Sequence, residues 1–395
     1  MATQIENAKN NVITSEIELV AQKENLEPKF IMEQVALGRI VILKNALRKN
    51  SIPVGIGEGL GIKINATIGT SNENSGLKNE LEKAQLVEFM EADTLTDLST
   101  GKGIDLTRKK IINSTTLPLG TVPMFQAVKE ATEKNYDLIN LDKDKIFSNI
   151  EKHLKDGVDF VSIHAGITKY STQVMENTER KMGLISRCGS MLNWWVKKTG
   201  KENPLYENFD ELLDLVKTYD ATLSLGNGFR AGCIADSFDR AQIAEYIVNG
   251  ELVERARKFG IQTMVEGGGH ISFEKIASIT KNIKEITNFA PLYMLGPIVT
   301  DVAVGYDNIT SAIGATLAGY SGADFLCYVT PAEYLGYPDI EQVRQGIIAA
   351  KIAAHSANIA RGDKDAIKRD LSMAIARKKF DIKEQKKQAI DRTVF

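Results

Sequence analysis

The fold is decided by the stretch MVEGGGH, residues 264–270. An apolar run over residues 261–265 ends here in a carboxylate, three glycines without a Cβ to block a ligand, and an imidazole. Several other segments end in the same way, with a short apolar run followed by a polar or glycine residue. Because parallel strands of a barrel present their carboxyl ends on one face, we expect Glu266 and His270 to lie at a barrel mouth.

Strand-like and helical segments alternate along most of the chain, which is typical of parallel β/α units. The strand-like runs are 62–68, 94–98, 117–122, 159–164, 184–186, 221–225, 261–266, 291–295 and 324–329. Amphipathic helical segments are clearest at 146–155, 209–218, 241–259, 273–286 and 340–360. The pattern predicts a (β/α)8 barrel of the TIM type with helical extensions at both ends, and the short run 184–186 is the one strand too many.

Three regions follow from this pattern. We expect an amino-terminal helical extension over 1–55, the catalytic barrel over 56–360, and a carboxyl-terminal helical segment over 361–395. The glycine-rich run 55–61 is predicted to be a turn, because a dinucleotide loop needs its strand before the glycines and here the strand candidate follows them.

The amino-acid composition limits which binding partners and which cellular compartment we expect. The 49 basic and 51 acidic residues nearly cancel, so the net charge favours neither nucleic acid nor a membrane surface as a partner. We find no apolar run long enough for a bilayer and no secretory signal, so we expect a cytoplasmic enzyme. The three cysteines are far apart and form no C-x-x-C pair, which argues against a self-contained cysteine site for a metal.

Candidate functional residues stand where the apolar runs end. His164 is followed by an alanine and a glycine and could serve a ligand, although a satisfied core histidine is the alternative. Arg187 and Arg230 lie beside glycines, a suitable place to bind phosphate or carboxylate, and surface salt bridges are their alternative. Glu266 is the strongest candidate, because a carboxylate at a strand tip is costly unless it is paired or serves a ligand.

Longer motifs carry a family resemblance. They are KINATIG (63–69), DLSTG (97–101), GTVP (120–123), IHAG (163–166), SR (186–187), ENPLY (202–206), LSLG (223–226), GP (296–297), NITSAIG (308–314) and CYVTP (327–331). In this order they resemble the phosphomethylpyrimidine synthases of thiamine biosynthesis and their paralogues, the 5-hydroxybenzimidazole synthases of anaerobic cobamide biosynthesis. The resemblance covers residues from about 30 to 375.

The resemblance implies a dimeric (β/α)8 barrel that rearranges 5-aminoimidazole ribotide by a radical mechanism with S-adenosylmethionine and a [4Fe-4S] cluster. Glu266, His164 and Asn227 are the catalytic positions that it implies. The positions that it implies for ribotide binding are Asn65, Thr96, Phe125, His164, Ser186, Arg187, Cys188, Asn227, Arg230, Glu266 and Tyr293. It also implies a second metal, zinc or iron, at His270, with the other histidine falling at position 334.

Departures from the family pattern alter this expectation. Position 334 is a tyrosine, a poor ligand unless deprotonated. The other departures are Thr96 for methionine, Phe125 for tyrosine, Cys188 for glycine, Asn227 for aspartate, Gly268 for proline and Asn308 for histidine. Such pocket substitutions favour the benzimidazole branch in our interpretation, with the thiamine pyrimidine as the alternative.

The cluster is expected to take its ligands from outside this sequence, because the resemblance assigns them to a Cys-rich carboxyl-terminal tail and residues 361–395 contain no cysteine. Three explanations are open. The sequence could stop short of the tail, a paralogue could lend its cluster within a heterodimer, or the chain could be a non-catalytic ribotide-binding subunit. A homodimer or a heterodimer with a paralogue is therefore expected.

Overall fold

The computed structural model describes residues 2–71, 76–133 and 138–395. Its strands are β1 Ile40–Leu43, β2 Val54–Gly57, β3 Lys63–Ile68, β4 Thr94–Asp97, β5 Leu119–Thr121, β6 Phe160–Ile163, β7 Thr222–Leu225, β8 Thr263–His270, β9 Leu292–Ile298 and β10 Phe325–Cys327. Its α-helices are α1 Gln4–Lys9, α2 Ser15–Glu24, α3 Pro28–Ala36, α4 Leu77–Phe89, α5 Ile104–Ser114, α6 Pro123–Glu133, α7 Lys143–Lys155, α8 Lys169–Glu176, α9 Arg187–Thr199, α10 Pro204–Glu207, α11 Phe209–Lys217, α12 Arg240–Phe259, α13 Ile276–Ile286, α14 Asp307–Ser321, α15 Ile340–Arg361, α16 Lys364–Lys378 and α17 Ile382–Gln388.

Strands β3 to β10 close into a parallel barrel in the order β10-β3-β4-β5-β6-β7-β8-β9. The predicted (β/α)8 fold is therefore confirmed. The run 184–186 forms no strand, as expected from its length, and instead leads into α9, where the Ser186 side chain accepts a hydrogen bond from the backbone N–H of Gly189. Asp97 ends β4 and His164 directly follows β6, so both lie at the carboxyl ends of the strands, which form the mouth of the barrel. Glu266 lies within β8, four residues before its end at His270.

Side chains of alternate strand residues fill the barrel interior. The part of the interior below the mouth contains a packed cluster that includes Phe160, Met264, Tyr293 and Phe325. Phe160 fits because Gly120 stands beside it on β5, where a Cβ would lie 2.2 Å from the ring. The interior below the mouth is therefore a packed core.

A two-stranded antiparallel ribbon, β1 and β2, closes the opposite end of the barrel. Its buried residues Val41 and Ile56 belong to the same cluster as the interior aromatic side chains. The side chain of Gln262, just before β8, accepts a hydrogen bond from the backbone N–H of Ile42 at 2.6 Å and donates one to its carbonyl at 3.1 Å. The ribbon is thus held by the barrel itself.

The amino-terminal extension differs from the predicted one, because it contains this ribbon besides helices α1 to α3. The run 40–43 is apolar at every position and buried on both faces. Its sequence therefore shows no alternation of polar and apolar residues by which a strand could be told from a buried helix. Predicted as a plain turn, the glycine-rich run 55–61 instead begins within β2. In the part of the chain that the structure describes, no helix has the length and hydrophobicity needed to cross a membrane.

Candidate active site

Glu266 is a buried carboxylate on β8 that two neighbouring strands hold in place. The hydroxyl groups of Ser162 on β6 and Ser224 on β7 donate hydrogen bonds to its Oε1 at 2.7 and 2.8 Å. Burial raises the pKa of Glu266, although the serines, the charge of Arg230 and the backbone N–H of Asn227 act in the opposite direction. Since no lysine or arginine forms an ion pair with it among the described residues, the carboxylate is suited to accept a hydrogen bond from a ligand.

Tyr293 on β9, which pairs with Glu266 of the neighbouring strand β8, and Asn65 on β3 form one hydrogen-bonded network. The Asn65 amide nitrogen donates to the Tyr293 hydroxyl at 2.7 Å. Its oxygen accepts from Thr94 at 2.8 Å and from Thr96 at 3.1 Å. Burial raises the pKa of Tyr293, which keeps the phenol neutral. The structure therefore brings three of the predicted ribotide positions together, and they support one another.

His164 follows β6 at the mouth and is fully enclosed. Burial and the charge of Arg230 lower its pKa to about 3, so the imidazole is neutral at physiological pH. Its ring fits against Gly226, where a Cβ would lie 2.7 Å from it. Its Nδ1 is buried and has no hydrogen-bond partner within the described residues. A structural core histidine would have this nitrogen satisfied, so the geometry favours a ligand-binding role.

The loop after β7 carries Asn227 and Arg230. Asn227 donates from its side-chain nitrogen to the Tyr246 hydroxyl on α12 at 2.7 Å, while its Oδ1 is buried without a partner among the described residues. Glu245, also on α12, accepts hydrogen bonds from the backbone N–H groups of Gly228 at 2.7 Å and Phe229 at 2.8 Å. The position of Asn227 is thus fixed from behind the barrel, by α12.

The guanidinium groups of Arg187 and Arg230 have no carboxylate partners among the described residues. Arg187, the first residue of α9, is exposed, and its side chain makes no hydrogen bond or ion pair within the described ranges. Arg230 is half-buried, and its side chain donates a hydrogen bond to the carbonyl of Asn227 at 3.3 Å. Within these ranges neither arginine forms the salt bridge that was the alternative to ligand binding.

Three further predicted positions are apolar or structural in this geometry. Ser186 is buried and accepts a hydrogen bond from the Gly189 backbone N–H at 3.1 Å, which caps α9. Burial raises the pKa of the Cys188 thiol to about 12, so it stays protonated and packs in the core. Phe125 on α6 is half-buried and packs against the same core. Their predicted contacts with ribotide stay predictions.

His270, the last residue of β8, is held between two side chains. Its Nδ1 lies 2.6 Å from Oδ1 of Asp301, and its Nε2 lies 2.6 Å from the hydroxyl of Tyr334. Position 334 therefore faces His270 directly. Within the ranges 2–71, 76–133 and 138–395, no group of three His, Cys, Asp or Glu side chains is arranged to hold a metal ion. The described residues therefore fit neither a zinc or iron ion at His270 nor an iron-sulfur cluster.

Sequence reasoning missed Ser162, Ser224 and Asp301. The two serines could have been found, because side chains alternate across a strand and Ser162 stands two residues before His164. Asp301 lies in the loop after β9, and nothing in its sequence surroundings marks it.

Fold and site together define a (β/α)8-barrel enzyme with a buried carboxylate, a neutral imidazole and two guanidinium groups that have no carboxylate partner among the described residues. The chain belongs to the radical SAM ThiC family, whose family model matches residues 3–394. It is 50% identical over 389 residues to the phosphomethylpyrimidine synthase of Thermoanaerobacter sp. (strain X514), covering 98% of this chain and 90% of that protein. It is 48% identical over 390 residues to that of Methanocaldococcus jannaschii, covering 99% and 91%, and 46% identical over 393 residues to that of Pyrococcus furiosus, covering 100% and 91%.

These relatives correct one preference from the sequence. They are named for the pyrimidine product, and they match nearly the whole of this chain. The preference for the benzimidazole branch, drawn from individual pocket substitutions, finds no support in them. The alternative, phosphomethylpyrimidine synthesis, fits better, and the chain is an enzyme of the lyase type.

Proposed function

We propose that this chain is a phosphomethylpyrimidine synthase of thiamine biosynthesis that rearranges 5-aminoimidazole ribotide with S-adenosylmethionine and an iron-sulfur cluster as cofactors. The single observation that carries the proposal is the buried Glu266 carboxylate, held by Ser162 and Ser224 and left without a cation of its own. The names of the relatives support the choice of product, and membership in a radical SAM family supports the cofactors.

Substrate binding would combine positive charge with hydrogen-bond acceptors. Arg187 and Arg230 have no carboxylate partners among the described residues, and a phosphate would supply the missing negative charge. Glu266 would accept a hydrogen bond from the amino group of the imidazole, which carries N–H donors. The buried oxygen of Asn227 is a second unoccupied acceptor among the described residues. Charge and hydrogen bonding thus favour a ligand that carries both a phosphate and N–H donors.

His164 would assist proton movement. Its low pKa, about 3, leaves it uncharged, so its free Nδ1 can either accept or donate a hydrogen bond, depending on the tautomer. The imidazole could move a proton as a relay, accepting one at one ring nitrogen and releasing another from the second nitrogen, so that the ring stays neutral overall. The floor of the pocket would be shaped by side chains that hydrogen-bond to one another, namely Asn65, Thr96 and Tyr293.

The described residues assemble no ligand set for the cluster, and none of the steps above passes through it. Burial raises the thiol pKa of both Cys188 and Cys327 to about 12, which disfavours the thiolate that iron requires. We propose that the cluster reaches the mouth from protein outside these residues, in a homodimer or in a heterodimer with a paralogue.

Ribotide binding by calorimetry tests the role of Glu266. We expect Glu266→Gln to weaken binding by about 10- to 100-fold, because a hydrogen bond to a charged group contributes about 1.5–3 kcal/mol. Glu58→Gln is the matched control, since Glu58 is exposed and lies next to the ribbon at the far end of the barrel. Equal affinity in both variants would remove Glu266 from the binding site.

Product analysis tests the reaction itself. The purified chain, assayed anaerobically with 5-aminoimidazole ribotide, S-adenosylmethionine and a reductant, with and without a paralogous partner, should yield the phosphorylated pyrimidine. Formation of 5-hydroxybenzimidazole instead would refute the proposed product while leaving the binding site intact. Absence of any turnover, together with normal ribotide binding, would identify a binding subunit.

A further inference from the structure

The hydrogen-bonded group Asp301–His270–Tyr334 joins the end of β8 to the loops after β9 and β10 at the rim of the mouth. His270 ends β8 and is 5% exposed. Asp301 lies in the loop after β9, and Tyr334 lies in the loop after β10 and is 48% exposed. Both distances to the imidazole are 2.6 Å, which is short for hydrogen bonds to a ring nitrogen. The imidazole therefore connects the ends of neighbouring strands.

The geometry closes both ring nitrogens of His270 to other ligands. Nδ1 lies 2.6 Å from Oδ1 of Asp301. Nε2 lies 2.6 Å from the hydroxyl of Tyr334, so the phenol occupies the position from which a metal ion would approach this nitrogen. A metal could reach Nε2 only by displacing the Tyr334 side chain.

The described surroundings of His270 do not complete a ligand set for zinc. Zinc sites are built from cysteine, histidine and carboxylate side chains, and a neutral phenol is not among them. Asp301 is on the Nδ1 side of the ring, so it cannot share a metal with Nε2. No third ligand completes a set around His270 in the described ranges.

We propose that this bridge of Asp301, His270 and Tyr334 takes the place of the metal that the family resemblance assigns to His270, so that the rim of this barrel is held by hydrogen bonds alone. The bridge connects the end of β8 to the loop after β10, as a metal bound by positions 270 and 334 would, and it also includes the loop after β9 through Asp301. It needs no zinc or iron to form, and its integrity does not depend on which product the enzyme makes.

Zinc binding by the full chain tests the proposal. The protein is dialysed against zinc chloride and then against buffer, and retained zinc is measured by mass spectrometry. We expect wild type and His270→Ala to retain the same amount. Tyr334→His, which places a second imidazole against Nε2, should bind at least about 100-fold more tightly than wild type, since two histidine ligands replace a blocked one. The double variant His270→Ala, Tyr334→His should lose this gain.

Two outcomes would overturn the proposal. One is zinc that wild type retains and His270→Ala does not. The other is a Tyr334→His variant that binds no more zinc than wild type, since the phenol would then not be what excludes the metal. Tyr334→Phe gives a separate test, because it keeps the ring and removes the O–H. We expect its thermal midpoint to fall by about 1–3 °C, and an unchanged midpoint would mean that the hydroxyl does not hold the rim.

Discussion

Glu245→Gln should change how the stability of this protein depends on pH. Glu245 is fully buried on α12 and holds the loop after β7 through the backbone N–H groups of Gly228 and Phe229. Burial raises its pKa from an ordinary value of 4.5 to about 7. Between these two values the folded protein binds more protons than the unfolded chain, so stability falls as the pH rises through this window.

The size of the effect follows from the shift. A difference of about 2.5 pKa units corresponds to about 3 kcal/mol that the folded state loses once the pH exceeds 7. Glutamine does not titrate, so the variant lacks this loss. Its amide nitrogen faces one of the two backbone N–H groups, which leaves a buried donor unsatisfied and costs about 1–3 kcal/mol at every pH. Below this pH window wild type should therefore be more stable than Glu245→Gln. Above the window the difference in free energy of unfolding between the two proteins should shrink or change sign.

Urea unfolding of both proteins at about pH 5 and about pH 8 measures this directly. We expect the free-energy difference between wild type and Glu245→Gln to change by about 2–3 kcal/mol between the two conditions. Parallel pH profiles would refute the reasoning, because they would mean that Glu245 has the same pKa in the folded and unfolded states.

Further predictions concern the ribbon and the thiols. Gln262→Ala should lower the free energy of unfolding, measured in urea, by about 2–4 kcal/mol, because the backbone N–H and carbonyl of Ile42 both lose their buried partner. A loss of less than about 0.5 kcal/mol would show that water replaces the side-chain amide. Brief alkylation of the native protein with iodoacetamide at about pH 8, followed by peptide mass spectrometry, should modify Cys233 first, because Cys188 and Cys327 are buried and burial raises their pKa to about 12. Equal labelling of all three would contradict their burial.

The sequence predicts the barrel well because each strand is buried on both faces and appears as a short apolar run with a polar end. Glu266 and His164 could be found for this reason, since each ends such a run. Asp301 could not, because its partner His270 is 31 residues away and no local pattern links the two. Asn227 lies at the expected strand end, but sequence could not show that its amide turns toward Tyr246 on α12, which depends on packing between helix and barrel.

The ribbon that closes the barrel has a consequence for the order in which the chain folds. Residues 40–57 leave the ribosome before any barrel strand, yet the surface that they cover includes Phe325 of the last strand. Contacts between positions so far apart in sequence form slowly, because a long loop must close first. We therefore expect the segment synthesised early to be the last to dock, and in pulsed hydrogen exchange during refolding the amide of Ile42 should gain protection after the amides of β6 to β8.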